Sequence, residues 1–522
     1  MKKTLIMLVV AGFTTGACAQ QNPTALKYSK IVSAELAKKH LSIIASDEFE
    51  GRETGKPGAE KAANYIANEF KVLGLKPAVN GSYFLDVPIV EPSFTVNALT
   101  ANGKTYTIGT DFSATGGVGT KTVTSSDIVF IGYGIGADTY NDLKGTDITG
   151  KVVLYINTGE PVNNGVFKVT GTDKTSNWST DRSRRIQFIQ SKKPALILAV
   201  NPAGGAVRRS NGSRMVLKKE NTDVPVYTIT PAMANALLQP TNKTIAQLKT
   251  DIDQSGTPQT QTIKADFSTI YTGTEKPVKA VDVVGILPGR DAKLKDEYLV
   301  VSAHYDHIGM LPEGTKGDRI YNGADDDGSG TTAMLEIARA FSAAKKAGKG
   351  PRRSILFLGN VGEEKGLLGS EYYSEHPVVP MASTIADLNI DMIGRVGEEY
   401  VGKADSANTV YVIGSSMLSS DLHKVGESAN NTYTKLKLDY KYDDPNDPNR
   451  FYYRSDHYNF AKFGVPIIFY FNGVHADYHG LGDEISKINF PLLAKRAQLV
   501  YFTAWDLANA DKRPAVDGKN TR

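Results

Sequence analysis

The 522-residue sequence predicts an α/β protein: a doubly covered, mostly parallel but mixed sheet, interrupted by an inserted β-rich domain. Three observations carry that prediction. From Val281 onward, compact apolar runs alternate with helical stretches, as parallel strands buried on both faces do. From about Tyr83 to Ser268 the apolar runs are short and β-type, with Gly, Thr, Asn and Ser between them and little helix. Ahead of that segment, from about Ser29 to Leu73, the spacing is helical. The length alone suggests two or three domains.

The chain opens with Lys2 and Lys3, an apolar stretch from Leu5 to Phe13 and the small-x-small run Ala17-Cys18-Ala19. That order predicts a secretory signal at residues 1–19, removed on export to a periplasmic or extracellular space. Thr15-Gly16-Ala17-Cys18 also fits a relaxed lipoprotein box, so a lipid anchor at Cys18 is the alternative. Neither this stretch nor any other apolar run is long enough to cross a bilayer. Cys18 is the only cysteine, so the processed chain is predicted to contain no disulfide and no thiol nucleophile.

In the first helical region Ala62, Ile66 and Phe70 share one face, Leu73 joins them, and Gly74 supplies a stop. A turn-rich loop, Glu50-Gly51-Arg52-Glu53-Thr54-Gly55-Lys56-Pro57-Gly58, lies between two helical stretches. Strands are then predicted at Asp127–Ile131, Val152–Ile156, Ala195–Val200 and Val224–Ile229, with no reactive cluster among them. Residues 86–274 are accordingly assigned to the insert. Residues 20–85 and 275–510 form the main domain in two pieces, and 511–522 a tail. Within the second piece, strands are predicted at Val281–Leu287, Tyr298–Ala303, Ser354–Leu358, Ile385–Ile390, Val410–Ile413 and Val465–Phe471. Helices are predicted at Gly328–Lys346, Leu367–Glu375, Leu418–Asn430 and Asn489–Ala508.

Sixty basic and 56 acidic residues give a net charge of +4, with no electrostatic case for nucleic acid. The chemistry is concentrated where strands end, which is where ligands bind in open α/β sheets. Ser302-Ala303-His304-Tyr305-Asp306-His307 ends one strand. There i, i+2 alternation puts His304 and Asp306 on one face, so that Asp306 would fix the imidazole, and His307 on the other. In Asp325-Asp326-Asp327-Gly328-Ser329-Gly330 three carboxylates repel one another unless a cation or strong hydrogen bonds compensate. Gly362-Glu363-Glu364 offers two glutamates, one able to bind a metal and one to take a proton. Asp391 sits in an apolar run, and two histidine clusters follow, Arg454-Ser455-Asp456-His457 and His475-Ala476-Asp477-Tyr478-His479. Two histidines and three carboxylates suit zinc, with manganese or cobalt as substitutes. Five ligands exceed one tetrahedral ion but suffice for two ions if one carboxylate bridges.

In this order the motifs resemble the M28 family of zinc peptidases, over about Ser29–Leu85 and Val281–Ala508. The resemblance implies an aminopeptidase with two Zn²⁺ and peptide substrates, and the N-terminal signal makes it a secreted one. Asp326 matches the bridging aspartate, His304 and Asp391 the ligands of one zinc, and Glu364 and His479 those of the other. Glu363 matches the general base acting on the water between the metals, Asp306 the acid behind His304, and Tyr478 a donor to the oxyanion. A cis peptide at Asp326-Asp327 is also implied. The register of Asp326 is set by its distance to Gly328-Ser329-Gly330, and His479 is chosen over His475 by the preceding tyrosine and the acids that follow. The same resemblance leaves open a carboxypeptidase, a dipeptidase, a one-zinc glutaminyl-cyclase-like enzyme or a non-catalytic receptor. The insert is similar to a protease-associated domain, through Gly132-Tyr133-Gly134-Ile135, Asn141-Asp142-Leu143-Lys144-Gly145 and Gly150-Lys151-Val152-Val153-Leu154. The acidic loop Asp439–Asp447 admits Ca²⁺ by composition, but it lacks the EF-hand spacing and reads better as a solvated loop. Nothing in the sequence sets an oligomeric state.

Overall fold

A computed structural model describes residues 21–205, 214–218, 224–444 and 446–518. The predicted signal at residues 1–19, with Cys18, lies outside the described residues. The chain divides into two compact units, residues 1–88 with 278–522, and Ile89–Pro277.

The first unit is built on a nine-stranded mixed sheet. Its path runs Lys76–Pro77, Val281–Leu287, Ser354–Asn360, Tyr298–His304, Thr384–Ile390, Ile467–Phe471, Thr409–Ile413, Lys437–Asp439, and Phe84–Asp86 pairs with Val281–Leu287. The centre is parallel: Tyr298–His304 lies between Ser354–Asn360 and Thr384–Ile390, and the latter pairs parallel with Ile467–Phe471. Val281–Leu287 and Thr409–Ile413 join that block antiparallel. Every residue of Ser354–Asn360, Thr384–Ile390 and Ile467–Phe471 is buried, which is why these strands read as unbroken apolar runs.

Helices pack on this sheet through their apolar faces. Pro57–Leu73 buries Ala59, Ala62, Ala63, Ile66, Ala67, Phe70 and Leu73 and ends on Gly74 at φ 78°. The left-handed cap there favours glycine. Gly328–Lys346 begins on Asp327, whose side chain accepts from the Gly330 N–H. Phe490–Asn509 is buried along most of its length, and Phe341 stacks on its Trp505 at 5.6 Å.

The second unit has its own nine-stranded sheet and core. Gly119–Phe130, Val152–Ile156, Leu196–Val200 and Val226–Ile229 run parallel in sequence, and Ile89–Ala101, Phe112–Thr115 and Gln261–Val278 extend the same sheet. The expectation of little helix is corrected here. Helices occupy Arg182–Gln190, Pro231–Leu238 and Ile245–Ser255. A parallel block needs crossover connections, and Arg182–Gln190 lies in the one between Val152–Ile156 and Leu196–Val200, while the other two helices lead from Val226–Ile229 to Gln261–Val278.

Candidate metal centre

The four parallel strands of the first unit all deliver chemistry from their carboxyl ends. His304 closes its strand; Glu363 and Glu364 follow Ser354–Asn360; Asp391 follows Thr384–Ile390; His475, Tyr478 and His479 follow Ile467–Phe471. Asp326 arrives from the loop before the Gly328–Lys346 helix, and the Asp326–Asp327 peptide is cis.

These side chains converge on Asp326. Its Oδ1 lies 3.4 Å from His304 Nε2, and its Oδ2 lies 3.2 Å from His479 Nε2. His304 Nε2 is 3.6 Å from Asp391 Oδ1, and His479 Nε2 is 3.2 Å from Glu364 Oε2. Glu363 Oε2 stands 4.0 Å from His304 Nε2. His304, Glu363 and Asp391 form one group able to hold a cation; His307, Asp326 and Glu364 form another.

Supporting contacts set these positions. Asp483 accepts the N–H groups of both Asp325 and Asp326, each at 3.1 Å. Asp325 Oδ1 accepts from Gly394 N at 2.6 Å, and His475 Nε2 lies 3.3 Å from its Oδ2. The middle aspartate of the acidic run therefore faces the centre, and its neighbour faces a separate buried cluster with His475. Asp327 Oδ1 accepts from Gly330 N and Met392 N, joining the helix start to the Asp391 loop. A Cβ on Gly330 would collide with Ile390 O and the Asp327 carboxylate, so the helix start reaches this loop only through glycine. His479 and Met392 both hold φ 54°, a left-handed backbone that non-glycine residues adopt at some cost.

Two expectations drawn from strand alternation need correction. His304 Nδ1 donates to the Asp306 main-chain carbonyl at 3.1 Å, and the Asp306 carboxylate Oδ1 stays 3.8 Å away. That carboxylate accepts from Thr54 Oγ1 at 2.7 Å and Glu363 N at 3.2 Å. His307, set aside as facing away, is buried beside the centre with Nδ1 2.8 Å from Glu364 Oε1, though not in hydrogen-bonding alignment. The reason is the same in both cases. The strand stops at His304, so the two-residue alternation does not reach 306 or 307. In the Asp439–Asp447 loop, carboxylates cap main-chain amides: Asp443 takes Gly414 N, Asp444 takes Asn446 N, and Asp447 takes Asn449 N and Phe451 N. Among the described residues no cation-holding group forms there.

The donor chemistry fits a divalent cation. His304 Nδ1 donates to a carbonyl, which leaves Nε2 turned toward two carboxylate oxygens, where a proton or a bound cation can sit. Only a positive charge between them makes that arrangement favourable. The protonation tendencies agree. Burial opposes the charged imidazole of His304, but Glu363, Asp391 and Asp326 hold its pKa well above the usual value. His479 is likewise raised to about 10 by Asp326 and Glu364 against the effect of burial. Burial presses Asp326 upward, yet His307, His304 and His479 bring it well below the ordinary carboxylate value. A cleft of about 340 Å³ opens over these groups, walled by Met392, Phe451, Phe469, Phe471 and Val474, with Arg454 and Tyr478 also lining it. Arg454 Nη2 donates to Tyr478 Oη at 3.1 Å.

Fold and site together define a class: an α/β sheet whose parallel strand ends build a carboxylate–histidine centre divided about one aspartate. Residues 282–504 match the model of Peptidase family M28. The chain is 29% identical over 259 residues to a "Probable zinc metalloprotease" of Pyrenophora teres, covering 47% of this chain and 52% of that one. It is 31% identical over 231 residues to a "Probable leucine aminopeptidase" of Trichophyton verrucosum, covering 43% and 57%. It thus spans a little over half the length of these two curated relatives. The solved "Aminopeptidase from Aneurinibacillus sp. strain AM-1" aligns with a TM-score of 0.49 at 18% identity, covering 95% of this chain and 98% of that one. No helix of the described residues is long and apolar enough to cross a membrane.

Proposed function

We propose that the protein is an exported aminopeptidase that holds two zinc ions and removes N-terminal residues from peptides. One observation carries the reading: the two oxygens of the Asp326 carboxylate face two different histidines, as a bridging ligand requires. His304 and Asp391 are assigned to one ion and Glu364 and His479 to the other, with His307 buried beside the second. Manganese or cobalt suit the same donors. A bound pair polarises a carbonyl and acidifies water.

The chain's own residues do the rest. Glu363 lines the cleft without being needed as a ligand, and takes the proton of the attacking water. Tyr478 accepts from Arg454, which leaves its own hydrogen free to donate to the oxyanion that develops on the substrate carbonyl. The apolar wall from Met392 to Val474 receives the first side chain of the peptide. The relatives named as a zinc metalloprotease and a leucine aminopeptidase support this reading. The Ile89–Pro277 unit is assigned as a protease-associated-like module with no catalysis of its own, and residues 1–19 as the export signal.

Aminoacyl-anilides should be cleaved and N-blocked peptides left intact, with two zinc ions per chain measured on the same sample. Glu363→Gln should keep both ions and lose turnover. An active Glu363→Gln enzyme would overturn the mechanism, and release of C-terminal residues from N-blocked peptides would overturn the aminopeptidase assignment.

A further inference from the structure

Arg52 is fully buried, and among the described residues it makes no ion pair. All five N–H groups of its guanidinium are nevertheless used, each on a main-chain carbonyl. Nε donates to Tyr305 O at 2.8 Å. Nη1 donates to Ile44 O at 3.0 Å and Asn322 O at 2.6 Å, and Nη2 to Gly323 O at 2.8 Å and Asp326 O at 3.4 Å. Three of these carbonyls belong to the loop that carries Asp326, one to the residue after His304, and one to the end of the Ala34–Ile44 helix. Arg52 O accepts from His307 N at 3.1 Å, so the residue grips the end of the His304 strand through its main chain as well as its side chain.

The surrounding loop is pressed into place. Glu50, Gly51 and Arg52 all have positive φ, at 51°, 65° and 51°. A Cβ on Gly51 would run into the carbonyl oxygens of Gly309 and Tyr321. Thr54, two residues on, donates to Asp306. A buried guanidinium without a paired carboxylate is costly unless nearby negative charge offsets it. Here Asp326, Asp483, Asp327 and Asp306 supply that field. Folding has therefore placed a fixed cation behind the bridging carboxylate, with a planar fork that matches carbonyls on both sides of the gap. Lysine has three donors on one flexible nitrogen and cannot reproduce the set.

We infer that Arg52 is a positioning residue for the metal pair: its guanidinium sets the Asn322–Asp326 loop against the end of the His304 strand. In that role it fixes the separation across which Asp326 faces His304 and His479. The inference rests on the two-zinc reading and goes beyond it, because Arg52 touches neither ligand side chain nor cleft.

The test compares Arg52→Lys with Arg353→Lys in the full chain. Arg353 is an equally buried arginine that donates to Leu507 O, Ala510 O and Glu297, at the amino end of the Ser354–Asn360 strand whose other end leads to Glu364. Zinc affinity is read by competition with a chromophoric chelator, and the melting temperature of the zinc-free protein is read alongside. The expected result is a loss of about 10- to 100-fold in zinc affinity at one or both sites in Arg52→Lys, as for other residues that hold ligands in place. Arg353→Lys should keep zinc affinity whatever it loses in melting temperature. Arg52→Gly, whose backbone suits φ 51°, serves where the lysine variant does not fold. Added guanidinium should restore its zinc affinity, and urea, planar but neutral, should not. Unchanged affinity in Arg52→Lys, equal losses in the two lysine variants, or rescue by neither small molecule would overturn the role of Arg52. Wild-type protein that binds fewer than two zinc ions would instead overturn the two-zinc reading, and the role of Arg52 with it.

Discussion

Replacing Ser455 with alanine tests how firmly the site is held from behind. Ser455 is completely buried; its Oγ donates to Asp391 Oδ2 at 2.7 Å and accepts from Asn389 Nδ2 at 2.8 Å. Asn389 Oδ1 faces Ser302 Oγ at 3.0 Å, and Ser302 donates to Asp387 at 2.8 Å, so a polar chain runs back through two strands. Alanine deletes a hydrogen bond to a carboxylate, worth roughly 1.5–3 kcal/mol. It also leaves the buried Asn389 amide without that acceptor, at roughly 1–3 kcal/mol. Both losses come from one atom and overlap, so the zinc-free protein should lose about 2–4 kcal/mol. The functional consequence is separate. Asp391 Oδ1 faces His304 Nε2 at 3.6 Å only while Oδ2 is tethered. With the tether gone, zinc affinity should fall about 10- to 100-fold, or about 1.4–2.7 kcal/mol. Urea unfolding of the zinc-free protein and chelator competition on the same preparation give the two quantities. Zinc affinity within about twofold of wild type, alongside the expected loss of stability, would refute the claim that Ser455 orients Asp391.

Other outcomes are equally specific. Tyr478→Phe should lower kcat about 100- to 1,000-fold with little change in KM, as loss of an oxyanion donor does; a rise in KM alone would argue against that role. Gly330→Ala should destabilise the fold by about 2 kcal/mol or more and weaken zinc binding, since its methyl meets Ile390 O and Asp327; a wild-type melting temperature would contradict the packing. Zinc at about 100 times its dissociation constant should stabilise the protein by about 2.7 kcal/mol, seen as a melting shift that a chelator reverses. Burial, with Arg339 and Lys39, lowers His40 from 6.5 to about 4. The unfolded chain therefore takes up a proton that the folded one refuses. Stability is intact above pH 6.5 and falls by about 1.4 kcal/mol per pH unit from there toward pH 4. His40→Gln should remove that slope from urea midpoints measured between pH 7.5 and 4.5, and an unchanged slope would count against it.

Much of the main domain is legible in the sequence because its signals are local and strong. Val281–Leu287 and Gly328–Lys346 are predicted to the residue, the first as a compact apolar run and the second as a helical stretch directly after the acidic run. The site motifs are legible for a related reason: acids and histidines at the ends of apolar runs stand out. What alternation could not reach was the geometry just past a strand end, where Asp306 and His307 depart from it. The helices of the second unit were missed on other grounds. Arg182–Gln190 has a polar sequence whose helical spacing is carried by little more than Ile186 and Ile189. Ile245–Ser255 does carry a readable start, the Thr244–Gln247 capping box, overshadowed by the β-type runs around it. Arg52 was visible only as part of a turn-rich loop; nothing local says that its fork closes on carbonyls up to 274 residues away.

That distance has a consequence for how the molecule is made. Thr54 must wait for Asp306, 252 residues later in the chain. At about 5–20 residues per second, roughly 10–50 s of synthesis separate the two. Throughout that interval the Arg52 loop has none of its later partners. The ends of the inserted unit are brought together by the Val87 N–H on Ala280 O at 3.0 Å and by pairing of Asp86 with Val281. An insert that folds first therefore removes most of the intervening chain from the closure, easing it by about 1 kcal/mol. An insert that folds in this order would act as a temporal splint, bringing the Arg52 loop beside the later piece of chain that carries every proposed ligand.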